Sequence, residues 1–187
     1  MASTNIIAPG ARVSKSARLG HYNIIEANAE IGDDVEIGNF CIIRANVKIA
    51  RNVVIKNHCE IREDTYIKEG CMLDSYVAVS GNVRVGKNVT LRYGTILARG
   101  SVIGDNCYLS PRVMLNNLNS AQKAIGGARI GNNTFVGTHT VIQHGIRIGK
   151  NVTIGSMSFV NEDCKSGGTY VGCPASLLRK KQKKKKG

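Results

Sequence analysis

Aliphatic residues recur at every sixth position along most of this 187-residue chain. From residue 7 to residue 115, all nineteen positions at this spacing hold Ile, Val or Leu, and the spacing returns from residue 130 to residue 160. A step of six does not keep side chains on one face of an α-helix, which has 3.6 residues per turn. The spacing therefore predicts a repetitive fold of short strands.

The residues between the aliphatic positions favour a narrow prism. Two positions earlier the side chain is small or medium-sized, as at Ala11 and Val77, and residues two apart share one face of a strand. Gly, Asn and Asp follow, as in Gly32-Asp33-Asp34, and favour turns. Three such strands would close a triangular coil too narrow for Trp, which the chain lacks. We therefore predict an all-β domain over residues 1–175, with about eight stacked coils.

The hexapeptide pattern resembles that of the hexapeptide-repeat acyltransferases, from Ile7 to about Arg179. The resemblance implies a single-stranded, left-handed parallel β-helix, whereas the general rule for parallel crossovers favours the right hand. It also implies a homotrimer with active sites in the clefts between neighbouring prisms.

One loop interrupts the repeat. Leu115 and Ile130 are fifteen residues apart instead of six, and the extra residues lie in the segment from Asn116 to Gly127. Regular coils specify a scaffold, so function is expected where the regularity ends. The polar start of the loop fits a projection toward a neighbouring subunit, and a tolerated surface insertion is the alternative.

The sequence from Ser110 to Lys181 is similar to the C-terminal half of sugar-modifying hexapeptide acetyltransferases, with a polar loop, further coils, the G-x-P-A stretch Gly172–Ala175 and a basic exit at Arg179. Nucleotide-sugar N-acetyltransferases carry an Asn at the position of Asn117, whereas maltose and galactoside O-acetyltransferases carry a catalytic His. This chain has no His between residues 58 and 139. The resemblance therefore implies acetyl transfer from acetyl-CoA to an amino sugar, nucleotide-linked, in glycan biosynthesis.

A sugar amine needs positioning against the thioester more than it needs a strong base. Asn117 is expected to hold the amine or the developing oxyanion through a neutral hydrogen bond. His139 and His144 are the candidate bases, because an imidazole titrates near neutral pH. Asn116 and His21 are the candidate substrate-binding residues, although His21 fits an ordinary polar turn equally well.

The resemblance also suggests where acetyl-CoA, the expected cosubstrate, would lie. Turn amides around Thr138 and Ser156 would bind the pantetheine arm, and Lys150 or Arg179 would meet the phosphates. No metal is expected.

Two other functions stay open. His139 and His144 have the H-x4-H spacing of γ-class carbonic anhydrases, but a zinc site needs a third His from an adjacent coil, and the chain has only His21 and His58 besides. Hexapeptide prisms also serve as scaffold subunits, including small subunits of dynactin, in which the loop and the histidines would be incidental.

The cysteines are predicted to be buried free thiols, since five of them lie two residues before an expected aliphatic position and no CxxC pair occurs. These five are Cys41, Cys59, Cys71, Cys107 and Cys164, whereas Cys173 lies outside the register.

The formal net charge is +13, and seven positive charges lie between Arg179 and Lys186. The tail from residue 176 to residue 187 is expected to be disordered and to make weak contact with anionic surfaces, or simply to be solvated. Specific nucleic-acid recognition is not expected, because no aromatic residue interleaves the lysines. A cytoplasmic location is expected, because the first residues lack the features of a signal peptide.

Overall fold

The structure, a computed structural model, describes residues 4–178, and these contain strands and turns but no helix. Each hexapeptide forms a two-residue strand followed by a turn, and the chain passes repeatedly over three parallel sheets, here called faces A, B and C. The predicted aliphatic residue is the second residue of every strand from β1 to β25, whose bounds follow.

Face A contains β1 (Ile6–Ile7), β4 (Ile24–Ile25), β7 (Ile42–Ile43), β10 (Glu60–Ile61), β13 (Ala78–Val79), β16 (Ile96–Leu97), β19 (Met114–Leu115), β22 (Val141–Ile142) and β25 (Phe159–Val160). Face B contains β2 (Arg12–Val13), β5 (Glu30–Ile31), β8 (Lys48–Ile49), β11 (Tyr66–Ile67), β14 (Arg84–Val85), β17 (Val102–Ile103), β20 (Arg129–Ile130) and β23 (Arg147–Ile148).

Face C contains β3 (Arg18–Leu19), β6 (Glu36–Ile37), β9 (Val54–Ile55), β12 (Met72–Leu73), β15 (Thr90–Leu91), β18 (Tyr108–Leu109), β21 (Phe135–Val136), β24 (Thr153–Ile154), β26 (Thr169–Val171) and β27 (Ser176–Leu177). The last of these pairs antiparallel with β26, and every other strand pair is parallel.

Successive coils stack in strict register. Ile25 pairs with Ile43, 18 residues further on, and backbone hydrogen bonds such as Ile24 N–H to the Cys41 carbonyl, at 2.8 to 3.1 Å for most rungs, join the coils. Across the loop the offset becomes 27 residues, because Leu115 pairs with Ile142. The loop therefore adds nine residues without disturbing the stacking of the coils.

Aliphatic side chains fill the interior of the prism, and no Trp is needed. Ile25, Ile61 and Leu91 are fully buried, and burial of each such side chain contributes about 1.5–3 kcal/mol. Within residues 4–178, the Thr65 hydroxyl is the one buried side-chain polar atom without a hydrogen-bond partner.

The prism has about nine turns, one more than predicted. The prediction stopped at Val160, the last aliphatic residue in register. The chain in fact continues through Cys164, which bridges to Ile148, and Tyr170, which pairs with Ile154. Cys164 therefore takes the place expected of an aliphatic residue, two residues earlier than the spacing of six requires. The five cysteines predicted to be buried are buried free thiols, and Cys173 is exposed.

An aromatic ladder that the sequence analysis did not recognise runs along the turn between faces C and A. It consists of Tyr22, Phe40, His58 and Tyr76, which follow one another at the 18-residue period. Neighbouring rings stack with centroids 4.9–5.1 Å apart and interplanar angles of 4–12°. All four residues have positive φ, which is unusual for bulky side chains. Because the ring faces cover one another, mainly ring edges face solvent.

The outward residues, which are the first of each two-residue strand, differ between the three faces. Face A is apolar apart from one Glu, and its outward residues are Ile6, Ile24, Ile42, Glu60, Ala78, Ile96, Met114, Val141 and Phe159. Face B is basic, with Arg12, Glu30, Lys48, Tyr66, Arg84, Val102, Arg129 and Arg147. Face C is mostly neutral, and Tyr108 and Phe135 stack there with centroids 5.6 Å apart.

Among residues 4–178 there is no helix with the length and apolarity that a membrane span needs. The tail was predicted to be disordered from residue 176, but Ser176–Leu177 forms β27 and pairs with β26. The basic segment from Arg179 to Gly187 lies outside the described residues.

Candidate functional site

The loop from Asn116 to Gly127 leaves the end of β19 and returns at β20, so it projects from the corner between faces A and B. It forms a small hairpin in which Leu118 bridges antiparallel to Ala124. The Asn119 carboxamide oxygen accepts hydrogen bonds from two backbone N–H groups of the hairpin, at 2.9 and 3.1 Å. The insertion is therefore an internally bonded element.

The base of the loop is fixed to the coils on both sides. The carbonyl of Asn117 accepts hydrogen bonds from the N–H groups of Ile125, at 2.8 Å, and Gly126, at 3.3 Å. The Gly126 carbonyl in turn accepts one from Gly145 N–H, at 3.0 Å, on the following coil. Gly127 packs against Ser101 so closely that an added Cβ would lie 2.7 Å from the Ser101 Cα.

Asn117 and His144 lie on consecutive coils at this A/B corner. Leu115 pairs with Ile142, and Asn117 and His144 each follow two residues later, at the same corner. The Gly126 carbonyl, rather than that of Asn117, accepts the hydrogen bond from Gly145 N–H, so Gly126 continues the backbone stacking there. Both are half-buried. Asn116 continues the rung through its N–H, which donates to the Ile142 carbonyl at 2.9 Å. The corner at the foot of the loop thus carries both a carboxamide and an imidazole.

His139 lies at the opposite edge of face A, on the C/A corner. It is exposed, has a φ of 56°, and its backbone N–H donates to the Pro111 carbonyl at 3.1 Å. Thr138 precedes it, and Ser156 lies one coil further along, where Met157 N–H donates to the Thr138 carbonyl at 2.8 Å. Thr138, His139 and Ser156 therefore form a second group, on the side of the aromatic ladder.

The remaining predicted residues lie elsewhere. Lys150 is exposed at the B/C corner, and its backbone N–H donates to the Ser166 hydroxyl at 3.0 Å. His21 lies at the C/A corner of an early coil, with Nδ1 3.0 Å from the Thr4 hydroxyl. Arg179 lies outside the described residues. One chain therefore distributes the predicted site over three corners of the prism.

The two histidines of the H-x4-H pair flank β22 at different corners, so a single chain does not bring them together. Within residues 4–178, no group of three or more His, Cys, Asp or Glu side chains is arranged to hold a metal ion.

Open grooves lie on face B, where the sequence analysis placed no site. One groove of about 600 Å³ is lined by residues that include Lys48, Tyr66 and Arg84, and a second of about 400 Å³ shares Tyr66 and Arg84 and extends to Asn132. Neither groove is lined by a residue of the loop, although the second reaches Asn132, on the coil that begins where the loop ends. The aliphatic repeat carries no information about outward residues, but reading every first strand residue at the 18-residue period would have revealed the basic character of this face.

Electrostatics also separate the two halves of the prism. Up to residue 99, ion pairs join neighbouring coils, as in Lys87–Glu69 at 2.7 Å, where the hydrogen bond from Lys87 lowers the pKa of Glu69.

Burial raises the pKa of Cys71 and of Cys164 to about 11, so both thiols stay protonated at neutral pH. These two thiols are therefore not candidate nucleophiles.

Comparison with known families decides the identification. Residues 28–63 and 127–162 match the model of the bacterial transferase hexapeptide (six repeats), and residues 77–111 match the hexapeptide repeat of succinyl-transferase. Together these segments cover more than half of the chain. The protein belongs to the hexapeptide-repeat transferase family.

Individual relatives of this hexapeptide-repeat transferase include acetyltransferases. The galactoside O-acetyltransferase of Escherichia coli (strain K12) is 29% identical over 115 residues, which cover 56% of this chain and 57% of the relative. The chain thus spans little more than half the length of that relative. The serine acetyltransferase of Neisseria gonorrhoeae is 26% identical with a TM-score of 0.51, over 58% of this chain and 42% of that one.

The solved structures also establish the fold. The UDP-N-acetylglucosamine O-acyltransferase of Moraxella catarrhalis RH4 superposes with a TM-score of 0.85 over 94% of this chain and 72% of that chain, at 22% identity. Neighbours of this type are left-handed β-helices, in agreement with the hand that the resemblance implied.

Proposed function

We propose that this transferase moves an acetyl group from acetyl-CoA to the amine of a nucleotide-linked amino sugar, in glycan biosynthesis. The observation that carries the proposal is that Asn117, at the foot of the loop, and His144, on the next coil, lie at the same corner of the prism. The acetyltransferases among its relatives support acetyl-CoA as the donor.

The two side chains suit aminolysis of a thioester. The amine attacks the acetyl carbonyl, a C–N bond forms, and the C–S bond breaks as CoA thiolate leaves. The Asn117 carboxamide donates a hydrogen bond to the developing oxyanion. The His144 imidazole accepts the proton that the amine loses and delivers it to the departing thiolate, so that the products are the acetamide and CoA thiol.

We further propose a homotrimer in which face A points toward the threefold axis. Its outward residues, apolar apart from Glu60, are those that a self-association surface requires. In such an arrangement the A/B corner of one prism meets the C/A corner of the next. Asn117 and His144 would then face the partner's Thr138, the partner's His139 and the partner's Ser156 across one cleft, with pantetheine along the turn amides and Lys150 near the phosphates.

The function is tested by following transfer from acetyl-CoA to a panel of amino-sugar nucleotides. We expect Asn117→Ala to lower kcat by about 10²-fold or more, as the loss of an oxyanion donor does. Asn161→Ala, at an exposed Asn directly after β25, is the matched control. Unchanged turnover in Asn117→Ala would exclude this residue, and absence of any transfer in the wild type would refute the function.

The shared cleft is tested by mixing subunits. His139 is the second candidate base and would line the cleft from the partner chain. Asn117→Ala and His139→Gln chains are therefore each expected to be weakly active, and co-expression in equal amounts should restore about one quarter of the wild-type activity. A quarter of the clefts then combine an intact Asn117 from one chain with an intact His139 from the other. Activity no higher than that of either parent would contradict a site shared between subunits.

Transfer to a sugar hydroxyl is a second candidate, because the galactoside relative is named as an O-acetyltransferase. The linkage in the product separates the two reactions. An N-acetyl product resists mild alkaline hydrolysis, whereas an acetate ester is cleaved, so an alkali-labile product would establish O-transfer. Failure to bind acetyl-CoA would instead favour the scaffold, and stoichiometric zinc with CO2 hydration would favour the anhydrase.

A further inference from the structure

Two arginines on face B, Arg129 and Arg147, combine the absence of an ion pair with direct pairing to each other. In the early coils, basic side chains are paired across coils, as where Glu30 contacts both Arg12, at 2.6 Å, and Lys48, at 3.0 Å. Within residues 4–178, no basic side chain after residue 100 forms an ion pair, and these include Arg129 and Arg147. Arg129 and Arg147 thus carry charges that no ion pair neutralises in the described residues.

Arg129 and Arg147 are also direct neighbours. They pair in register between β20 and β23, and both are exposed. Parallel strands lie about 4.8 Å apart, and like charges placed opposite each other destabilise a sheet. Asp163 lies opposite Arg147 on the next coil, and its carboxylate accepts a hydrogen bond from the Arg147 backbone N–H at 2.7 Å. It forms no ion pair with either guanidinium in the described residues.

The pair borders the candidate reaction centre. Arg129 comes two residues after Gly127, where the loop ends, and Arg147 comes three residues after His144. Both therefore project from face B immediately beside the A/B corner. A ligand that reaches Asn117 from this side passes over two guanidinium groups that form no ion pair in the described residues.

We propose that Arg129 and Arg147 form a phosphate-binding site on face B that holds a phosphate or diphosphate group of one of the two substrates. Guanidinium groups bind phosphate oxygens through paired, planar N–H donors, and an anion between them offsets their mutual repulsion. The identity of the ligand rests on the proposed function, since both CoA and a nucleotide-linked sugar carry such groups. The site itself rests on the position and charge of the two side chains.

Calorimetry on the full-length protein tests the site without requiring turnover. The probes are inorganic pyrophosphate, CoA and UDP, and the variants are Arg129→Gln and Arg147→Gln. Each substitution is expected to weaken binding of pyrophosphate and of at least one nucleotide about 10- to 100-fold, as the loss of a charged hydrogen bond does. Arg12→Gln is the matched control, because it removes the same charge from the same face far from the loop, and it should bind like the wild type. Arg147→Lys keeps the charge but loses the paired N–H donors of the guanidinium, so its affinity for the probes should lie between those of the wild type and Arg147→Gln.

The pattern of losses identifies the ligand. Weakened CoA binding with normal UDP binding places the donor phosphates here, and the reverse places the acceptor diphosphate here. The proposal is overturned if the wild type binds none of the probes, or if both Gln variants bind all of them as tightly as the wild type. Arginine-dependent binding of the probes without transfer to any acceptor would instead refute the proposed function and leave the phosphate site standing.

Discussion

The substitution Gly127→Ala probes the attachment of the loop to the prism. Gly127 is buried at the base of the loop, and an added Cβ would lie 2.7 Å from the Ser101 Cα and closer still to the Ser101 backbone N. These atoms belong to the backbone of the preceding coil, so no rotamer change relieves the contact. The base of the loop must therefore move away from the coil.

The expected cost is about 2–3 kcal/mol, the upper part of the range for overpacked interiors. For a chain of this size, such a loss lowers Tm by about 4–12 °C. Gly155→Ala is a matched control, since its Cβ would meet a side-chain methyl, the Val171 Cγ1, at 2.7 Å. That methyl can rotate away, so we expect a cost below about 1 kcal/mol.

The measurement is thermal and chemical denaturation of both variants at one protein concentration, followed by acetyl transfer at a temperature where both are folded. Displacement of the loop base also displaces Asn117, whose carbonyl binds the neighbouring Gly126 N–H at 3.3 Å. Gly127→Ala should therefore lower kcat while Gly155→Ala leaves it near the wild-type value. Equal stability of the two variants would refute the reasoning about the backbone contact.

Four further predictions concern the coils. Phe40→Asn and Phe40→Ala both remove a stacked ring, but Asn tolerates the φ of 57° at this position better than Ala does. In urea denaturation, the free energy of unfolding of the Asn variant should therefore be about 1 kcal/mol higher than that of the Ala variant. Equal values would contradict backbone strain at this position. Burial raises the pKa of Cys71 to about 11, so stability should fall above about pH 8.5, where only the unfolded thiol ionises, and Cys71→Val should flatten this fall in thermal melts. The pKa of Glu69 is lowered, so its ion pair with Lys87 stabilises the folded protein at pH values above the pKa of an unfolded Glu, and this stabilisation is lost in acid. Lys87→Met should therefore lower Tm more at pH 7 than at pH 2.5. Of the six cysteines, Cys173 is exposed and the other five are buried. The native protein should therefore react rapidly with one equivalent of a thiol reagent, and the denatured protein with six equivalents. Rapid reaction of a second equivalent in the native protein would contradict the burial of the other five.

The sequence predicts every strand from β1 to β25, because burial selects an aliphatic residue at the same place in each coil. The prediction fails at the end of the prism, where Cys164 and Tyr170 fill inward positions two residues out of step. A rule based on aliphatic residues cannot detect a thiol or a ring in the same role. The number of coils was therefore underestimated.

The candidate site is less predictable, for a geometric reason. Positions that face outward are free of the packing constraint, so the period of six says nothing about them. The 18-residue period does carry information, and it would have revealed the aromatic ladder, with Phe40 and His58 at its centre, and the neighbours Arg129 and Arg147. A motif match identifies His139 and His144 by their spacing in the sequence. That spacing alone does not show that the two residues lie at different corners of the prism.

A triangular prism limits what one chain can do chemically. Its interior is filled, and its corners are held apart by that interior, so side chains at different corners do not converge on one substrate. Face A separates Asn117 at one edge from His139 at the other, and its outward residues are apolar along nearly its whole length. Packing these apolar faces around a common axis would bury them and would bring unlike corners of neighbouring chains together in one step. In the proposed trimer, the same hydrophobic driving force that fills the coils would also assemble the site, and the basic residues of face B beside it would remain exposed to receive an anionic ligand.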